Sequence, residues 1–247
     1  MKYVASVSMG KDSLAMILLL IEKQYPLDEV IWYDTGMEFS AIYKNAEKLK
    51  ALLIAKKIPF TILKPEESFI YSMTEKTVHK RNGTIQKGYK WCGGLCRWGT
   101  THKISAINNY YKKYQNEIII EYVGIAADEI DRIEKERIKR KTNTFKIYPL
   151  AEHGMTEKQC LEFCYSQGWN WNEENIELYN ILDRVSCWCC RNKNLKELKN
   201  IYYYMPRYWE KLKTLQEKIK IPFKPKASIF DLEERFKKEG VQNTLLD

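Results

Sequence analysis

No apolar run in the sequence is longer than Leu14–Ile21, well short of the roughly 20 residues a helix needs to cross a bilayer. The first residues show neither a basic start nor a cleavage-type site. No membrane segment is therefore expected, and the expected address is the cytoplasm. Histidine is scarce: His79, His102 and His153 each stand alone, without metal-ligand spacing or a neighbouring nucleophile. Internal repeats and low-complexity tracts are absent, and no cysteine follows Cys190. Two familiar nucleotide loops are missing as well, G-x-x-x-x-G-K followed by Ser or Thr, and G-x-G-x-x-G after a strand.

What is present is a chain of 247 residues with 45% hydrophobic content, enough for one α/β domain and a smaller appended unit. The formal charge of +9 favours polyanionic partners, whether a nucleotide alone or RNA or DNA as well. Seven cysteines in a chain of expected reducing address point to metal binding or catalysis rather than to a disulfide framework.

Strand and helix signals alternate through the first half. Tyr3–Val7, Val30–Tyr33 and Phe60–Leu63 read as strands, with helices from Ser13 and from about Ser40 to Lys56 between them. Glu117–Val123 and Phe145–Tyr148 read as further strands. The expected fold is α/β, a parallel twisted sheet with helices on both faces, followed by a helical C-terminal region. The expected division is residues 1–150 as the nucleotide-binding domain and 151–247 as a helical region. In that region Thr156–Gln159 reads as a capping box opening a helix to Gln167, and Lys193–Tyr204, Pro206–Lys220 and Asp231–Glu239 read as helices.

The first strand runs through Ser6 into Ser8-Met9-Gly10-Lys11-Asp12-Ser13 and then directly into a helix. Backbone N–H groups and a helix N-terminus at such a junction form an anion site, with Gly10 expected to make the turn and Lys11 to add a cation. Ser6, Ser8, Met9, Gly10, Lys11, Asp12 and Ser13 are candidate nucleotide contacts, with Lys11 and Asp12 the candidate catalytic pair. Asp34-Thr35-Gly36-Met37-Glu38 follows the second strand, where Asp34, Thr35, Gly36 and Glu38 are candidates for the ribose, the adenine edge or Mg²⁺. Gly124, Ala126, Glu129 and Arg132 follow the fourth strand in the same way. Ligands in open parallel sheets sit beyond the carboxyl ends of the strands, so the three segments should converge.

This S-x-G-K-D-S loop resembles the pyrophosphatase-type loop of the adenine-nucleotide alpha-hydrolase superfamily, and in detail that of the phosphoadenylyl-sulfate (PAPS) reductase family. That family also has D-T-G-x-x-F after its second strand and G-I-R-A-x-E-S-x-x-R after its fourth. The likeness extends through Tyr148-Pro149-Leu150 to about residue 190. It implies an adenine nucleotide, with Mg²⁺ accompanying ATP. Ala126 stands where the family usually has arginine, and the family's E-C-G-I/L-H nucleophile motif is not found.

Cys92 and Cys96 form a C-x3-C pair, and Cys187, Cys189 and Cys190 form C-x-C-C. Cys92, Cys96, Cys187 and Cys190 are the candidate metal ligands, Cys189 the spare, for either a zinc ion or a 4Fe–4S cluster. The resemblance favours the cluster, because adenylyl-sulfate reductases carry one on cysteines that include an adjacent pair. Lys90, Arg97 and Arg191 would offset thiolate charge. Cys160 and Cys164 share one helix face, either as a redox pair or as small core residues, the latter preferred.

Two basic stretches, Arg132–Lys146 and Lys193–Lys220, the second with Tyr202, Tyr203, Tyr204, Tyr208 and Trp209, suit either nucleic acid or an amphipathic helical core. Three functions follow. The first is a PP-loop enzyme cutting ATP between its α and β phosphates, adenylating an acceptor and aiding sulfur transfer with a cysteine-bound metal. The second is a sulfonucleotide reductase, and the third a non-catalytic nucleotide- or RNA-binding subunit with structural zinc. A homo-oligomer or a larger complex is compatible with each.

Overall fold

The structure is a computed structural model describing residues 1–137 and 143–244. In chain order its first elements are β1 (Lys2–Val7), α1 (Lys11–Glu22), β2 (Glu29–Tyr33), α2 (Ser40–Ala55), β3 (Phe60–Leu63), α3 (Phe69–Thr74), β4 (Thr77–His79) and β5 (Ile85–Lys87). Next come α4 (Lys103–Tyr111), β6 (Ile119–Val123), α5 (Ile130–Arg137), β7 (Thr144–Ile147), α6 (Pro149–Glu152) and α7 (Glu157–Ser166). Last are β8 (Asn172–Glu173), β9 (Ile176–Glu177), α8 (Leu178–Ile181), α9 (Leu195–Tyr204), α10 (Pro206–Lys218) and α11 (Ile229–Thr244).

The chain divides into two compact units. The first comprises Met1–Asp34, Glu38–Lys64 and Lys103–Asn172; the second Thr35–Met37, Pro65–His102 and Glu173–Asp247. The division expected at residue 150 differs from this grouping, because α7 packs on α1 within the first unit.

The first unit is built on a five-stranded parallel sheet of order β3-β2-β1-β6-β7. Every residue of β2 is buried, as suits a parallel strand covered on both faces. On one face Val4, Ile31 and Ile119 pack with Ile107 and Tyr111 of α4. On the other, the Tyr122 ring stacks on Tyr3 and meets Tyr25 edge-on, just beyond α1, whose residues Leu14–Leu20 are all buried. Strand order reverses at β1, whose neighbours are β2 and β6, so the ends of β1 and β6 border the crevice where such sheets bind ligands.

In the second unit Tyr202, Trp209 and Phe236 cluster, with Trp209 and Phe236 buried. Tyr208 is buried too, so Tyr208 and Trp209, weighed above as base-stacking residues, are core residues instead. The Lys193–Tyr204 helix begins at Leu195, where Asn194 and Glu197 complete a capping box and leave Lys193 buried before it. Beyond α10, the break at Pro222 and Pro225 is held by one buried amide. Gln216 Nε2 donates to the carbonyls of Ile219 (2.7 Å) and Ile221 (2.9 Å), and its Oε1 accepts from the N–H groups of Phe223 (3.1 Å) and Ile229 (3.3 Å). Among the described residues no helix is long and apolar enough to cross a membrane. Residues 138–142 of the basic stretch lie outside the described residues.

Candidate functional site

The phosphate loop stands where the sequence placed it, between β1 and α1, with two changes of detail. Helix α1 starts at Lys11 rather than Ser13, so Lys11, Asp12 and Ser13 form its first turn. The left-handed residue is Met9 (φ 62°), while Gly10 is extended (φ −77°, ψ 163°). A non-glycine residue tolerates that conformation only when its surroundings hold it. Here Trp171, fully buried, donates its indole N–H to the Met9 carbonyl at 2.7 Å. Sequence reasoning missed Trp171, which lies far along the chain and in no motif.

The serines close the loop internally. Ser8 N–H donates to Ser13 Oγ at 3.0 Å, the two hydroxyl oxygens lie 3.0 Å apart, and Ser13 Oγ donates to the Gly10 carbonyl at 3.1 Å. Lys11 is buried, and its Nζ donates to Asp12 Oδ1 (3.0 Å) and Oδ2 (3.1 Å) and to Glu157 Oε2 (2.6 Å). Burial disfavours its charge, but the hydrogen bond to Glu157 and the nearby Asp12 outweigh it and hold the pKa above the ordinary lysine value. Burial pushes the Asp12 carboxyl up, against the pull of Lys11. Glu157 was legible only as part of a capping box. That box is present, with Thr156 Oγ1 accepting from Gln159 N–H (3.3 Å) and Gln159 Oε1 accepting from Thr156 N–H (2.9 Å); beside it, Asp128 accepts from Glu157 N–H (3.0 Å).

Gly124, at the end of β6, lies directly on the first turn of α1. A Cβ there would stand 2.8 Å from Ser13 Cα and 3.0 Å from the Asp12 carbonyl oxygen. The next candidates divide: Ala126 is fully buried, whereas Glu129 pairs with Arg132 at 2.8 Å. Asp34, at the end of β2, is buried, accepts from Tyr43 OH at 3.0 Å and faces Lys64 at 3.9 Å. Gly36 is left-handed (φ 77°), as a turn glycine should be.

A cleft of about 670 Å³ in this unit is lined by Ser6, Ser8, Ser13 and Gly124, with Arg132 at its wall. Its remaining polar lining includes Lys103, Glu121 and Tyr111, none of which lies in a recognisable motif. Cys160 and Cys164 are fully buried under the loop, where Cys164 Sγ donates to the Lys11 carbonyl at 3.5 Å. Burial pushes the Cys160 thiol up to about 12 and raises Cys164 likewise, which fits core packing rather than redox chemistry.

All five candidate metal-ligating cysteines lie in the second unit. Their two loops are clamped by Asn192: its Oδ1 accepts from Gly94 N–H (2.8 Å), and its Nδ2 donates to the Gly94 carbonyl (2.9 Å). Burial raises the Cys96 pKa, with smaller contributions from Cys92 and Cys190 nearby. Among the described residues, however, no three His, Cys, Asp or Glu side chains converge to hold a metal ion. Cys92, Cys96, Cys187 and Cys190 are not drawn together into such a group in this geometry. Cys96 Sγ accepts from Gly99 N–H at 3.5 Å, and Cys187 Sγ lies 3.7 Å from Thr35 Oγ1. Cys189 is only 4% exposed. Of the basic groups expected beside the thiols, Arg97 stacks on Tyr89 and Arg191 donates to the Phe223 carbonyl. Asn192→Ala should cost about 1–2 kcal/mol of local stability and speed labelling of Cys92 and Cys96 by a thiol reagent severalfold. Unchanged labelling would show that the loops hold without the clamp.

A parallel sheet reversing at β1, with the Ser8–Ser13 loop at that reversal and a cleft beside it, defines an α/β protein of the PP-loop type. The phosphoadenosine phosphosulfate reductase domain profile matches residues 2–190, and the chain belongs to that family. An uncharacterized protein of Methanocaldococcus jannaschii is 25% identical over 220 residues, 84% of this chain. The chain spans 40% of that relative's length. Among solved structures, the U34-tRNA thiolase NcsA from Methanococcus maripaludis with its 4Fe–4S cluster matches over 96% of this chain and 71% of its own, at 15% identity and a TM-score of 0.47.

Proposed function

We propose that the chain binds ATP at Ser8–Ser13 and cuts it between the α and β phosphates, adenylating an acceptor in a sulfur-transfer reaction. The observation that carries this reading is the loop itself: N–H groups at the end of β1 and the start of α1, two hydroxyls, and a lysine in the first helical turn, beside a cleft. Family membership supports the adenine nucleotide and the link to sulfur chemistry.

The backbone N–H groups and the helix N-terminus would hold the pyrophosphate. Lys11, charged and already close by, would shift from Glu157 to a phosphate oxygen as negative charge grows in the transition state. Mg²⁺ bound to ATP needs only one or two protein carboxylates, which suits Asp12, and would neutralise phosphate charge.

Incubation with ATP and magnesium should yield AMP and pyrophosphate, resolved by chromatography. Combined Ser8→Ala, Lys11→Ala and Ser13→Ala substitutions should lower turnover at least about a hundredfold, whereas Lys11→Ala alone should weaken binding without abolishing it. Equal ATP affinity in the triple variant would place the site elsewhere.

A further inference from the structure

Two side chains of the cleft are unaccounted for by the phosphate loop. Glu121 stands on β6 between its neighbours β1 and β7, and its Oε1 accepts from both Ser6 Oγ (3.1 Å) and Tyr111 OH (3.1 Å). Burial and the Glu121 charge both raise the Tyr111 pKa, so the phenol stays a donor. With Oε1 engaged twice, Oε2 has no hydrogen-bond partner among the described residues, and Glu121 lines the cleft. Lys103, at the start of α4, lines the same cleft, and its ammonium makes no hydrogen bond or ion pair among the described residues. Burial lowers the Lys103 pKa, Glu38 and Glu121 oppose that, and Arg132 adds to it. Glu121 and Lys103 thus feel one another's charge yet do not pair.

An acceptor and a cation held apart in one cleft call for a ligand that carries a donor and an anionic oxygen. We propose that Glu121 and Lys103 set the selectivity of the cleft for a nucleoside phosphate, Glu121 accepting from the nucleoside half and Lys103 pairing with a phosphate oxygen. This rests on the nucleotide reading above and extends it. Glu121 is aimed because Ser6 and Tyr111 fix its other oxygen, so the free oxygen is preorganised rather than mobile. Lys103 supplies a cation to the same cleft.

The test is calorimetric titration of the whole chain and its variants with ATP and with inorganic tripolyphosphate, which lacks the nucleoside. Glu121→Gln retains an oxygen for Ser6 and Tyr111 but loses the charged acceptor. It should weaken ATP at least about tenfold and leave tripolyphosphate within about twofold. Lys103→Met should weaken both ligands by about tenfold, and it carries the test if Glu121→Gln fails to fold. ATP affinity unchanged in both variants, or ATP and tripolyphosphate weakened equally by Glu121→Gln, would overturn the proposal while leaving the nucleotide reading intact. A wild-type chain that binds neither ligand would overturn both.

Discussion

Trp171→Ala should lower stability by about 3–5 kcal/mol, the cost of emptying a fully buried tryptophan site. For a chain of this size that corresponds to a thermal midpoint lower by roughly 10 °C, read by calorimetry. The effect should reach the phosphate loop, because the indole N–H is the donor to Met9, the residue held left-handed at φ 62°. Trp171→Phe separates the two contributions: the ring is largely kept, the hydrogen bond is lost, and a buried carbonyl is left without this donor at a cost of about 1–3 kcal/mol. ATP affinity should fall in Trp171→Phe more than its modest loss of stability alone explains. An ATP affinity that stays at the wild-type value would show that the loop keeps its conformation without the indole.

Gly124→Ala should weaken nucleotide binding, with ATP affinity falling by more than about tenfold in calorimetric titration. The added methyl would stand 2.8 Å from Ser13 Cα and 3.0 Å from the Asp12 carbonyl oxygen, both backbone atoms that no rotamer change can move aside. Either the end of β6 or the first turn of α1 must shift, and that turn carries Lys11, Asp12 and Ser13. Gly36→Ala is the contrasting case. Gly36 is left-handed (φ 77°) but has nothing within 4 Å of an added Cβ, so the change costs about 1–2 kcal/mol of backbone strain without a clash. Wild-type binding by Gly124→Ala would show that β6 can withdraw without disturbing the loop.

The sheet was legible because its signals are local. Strand β3 occupies the span expected from four consecutive residues of strand character, Phe60–Leu63, and the Thr156 capping box uses groups only three residues apart. Helix α3 and the β4–β5 pair were not foreseen: they are three to six residues long, below the length at which periodicity separates helix from strand. Helix α4 was missed for another reason, since its inward residues Ile107 and Tyr111 gain their core only when Val4, Ile31 and Ile119 meet them.

The candidate site shows the same boundary between local and distant causes. Residues that act through their own backbone and immediate neighbours, Ser8 to Ser13 above all, announce themselves by order along the chain, and family membership is readable from the same residues. Cysteine spacing, by contrast, states which thiols occur in pairs but not where their sulfurs point; the geometry turns Cys96 toward Gly99 and Cys187 toward Thr35. Trp171 on Met9 and Glu157 on Lys11 come from distant parts of the chain, 162 and 146 residues apart, and Lys103 and Glu121 reach one cleft from different elements. Order along one chain sets backbone conformation through steric and hydrogen-bonding rules that span a few residues. Which distant side chains share a cavity, and which of them is left with an open hydrogen-bonding position, depends on how the folded strands and helices stack.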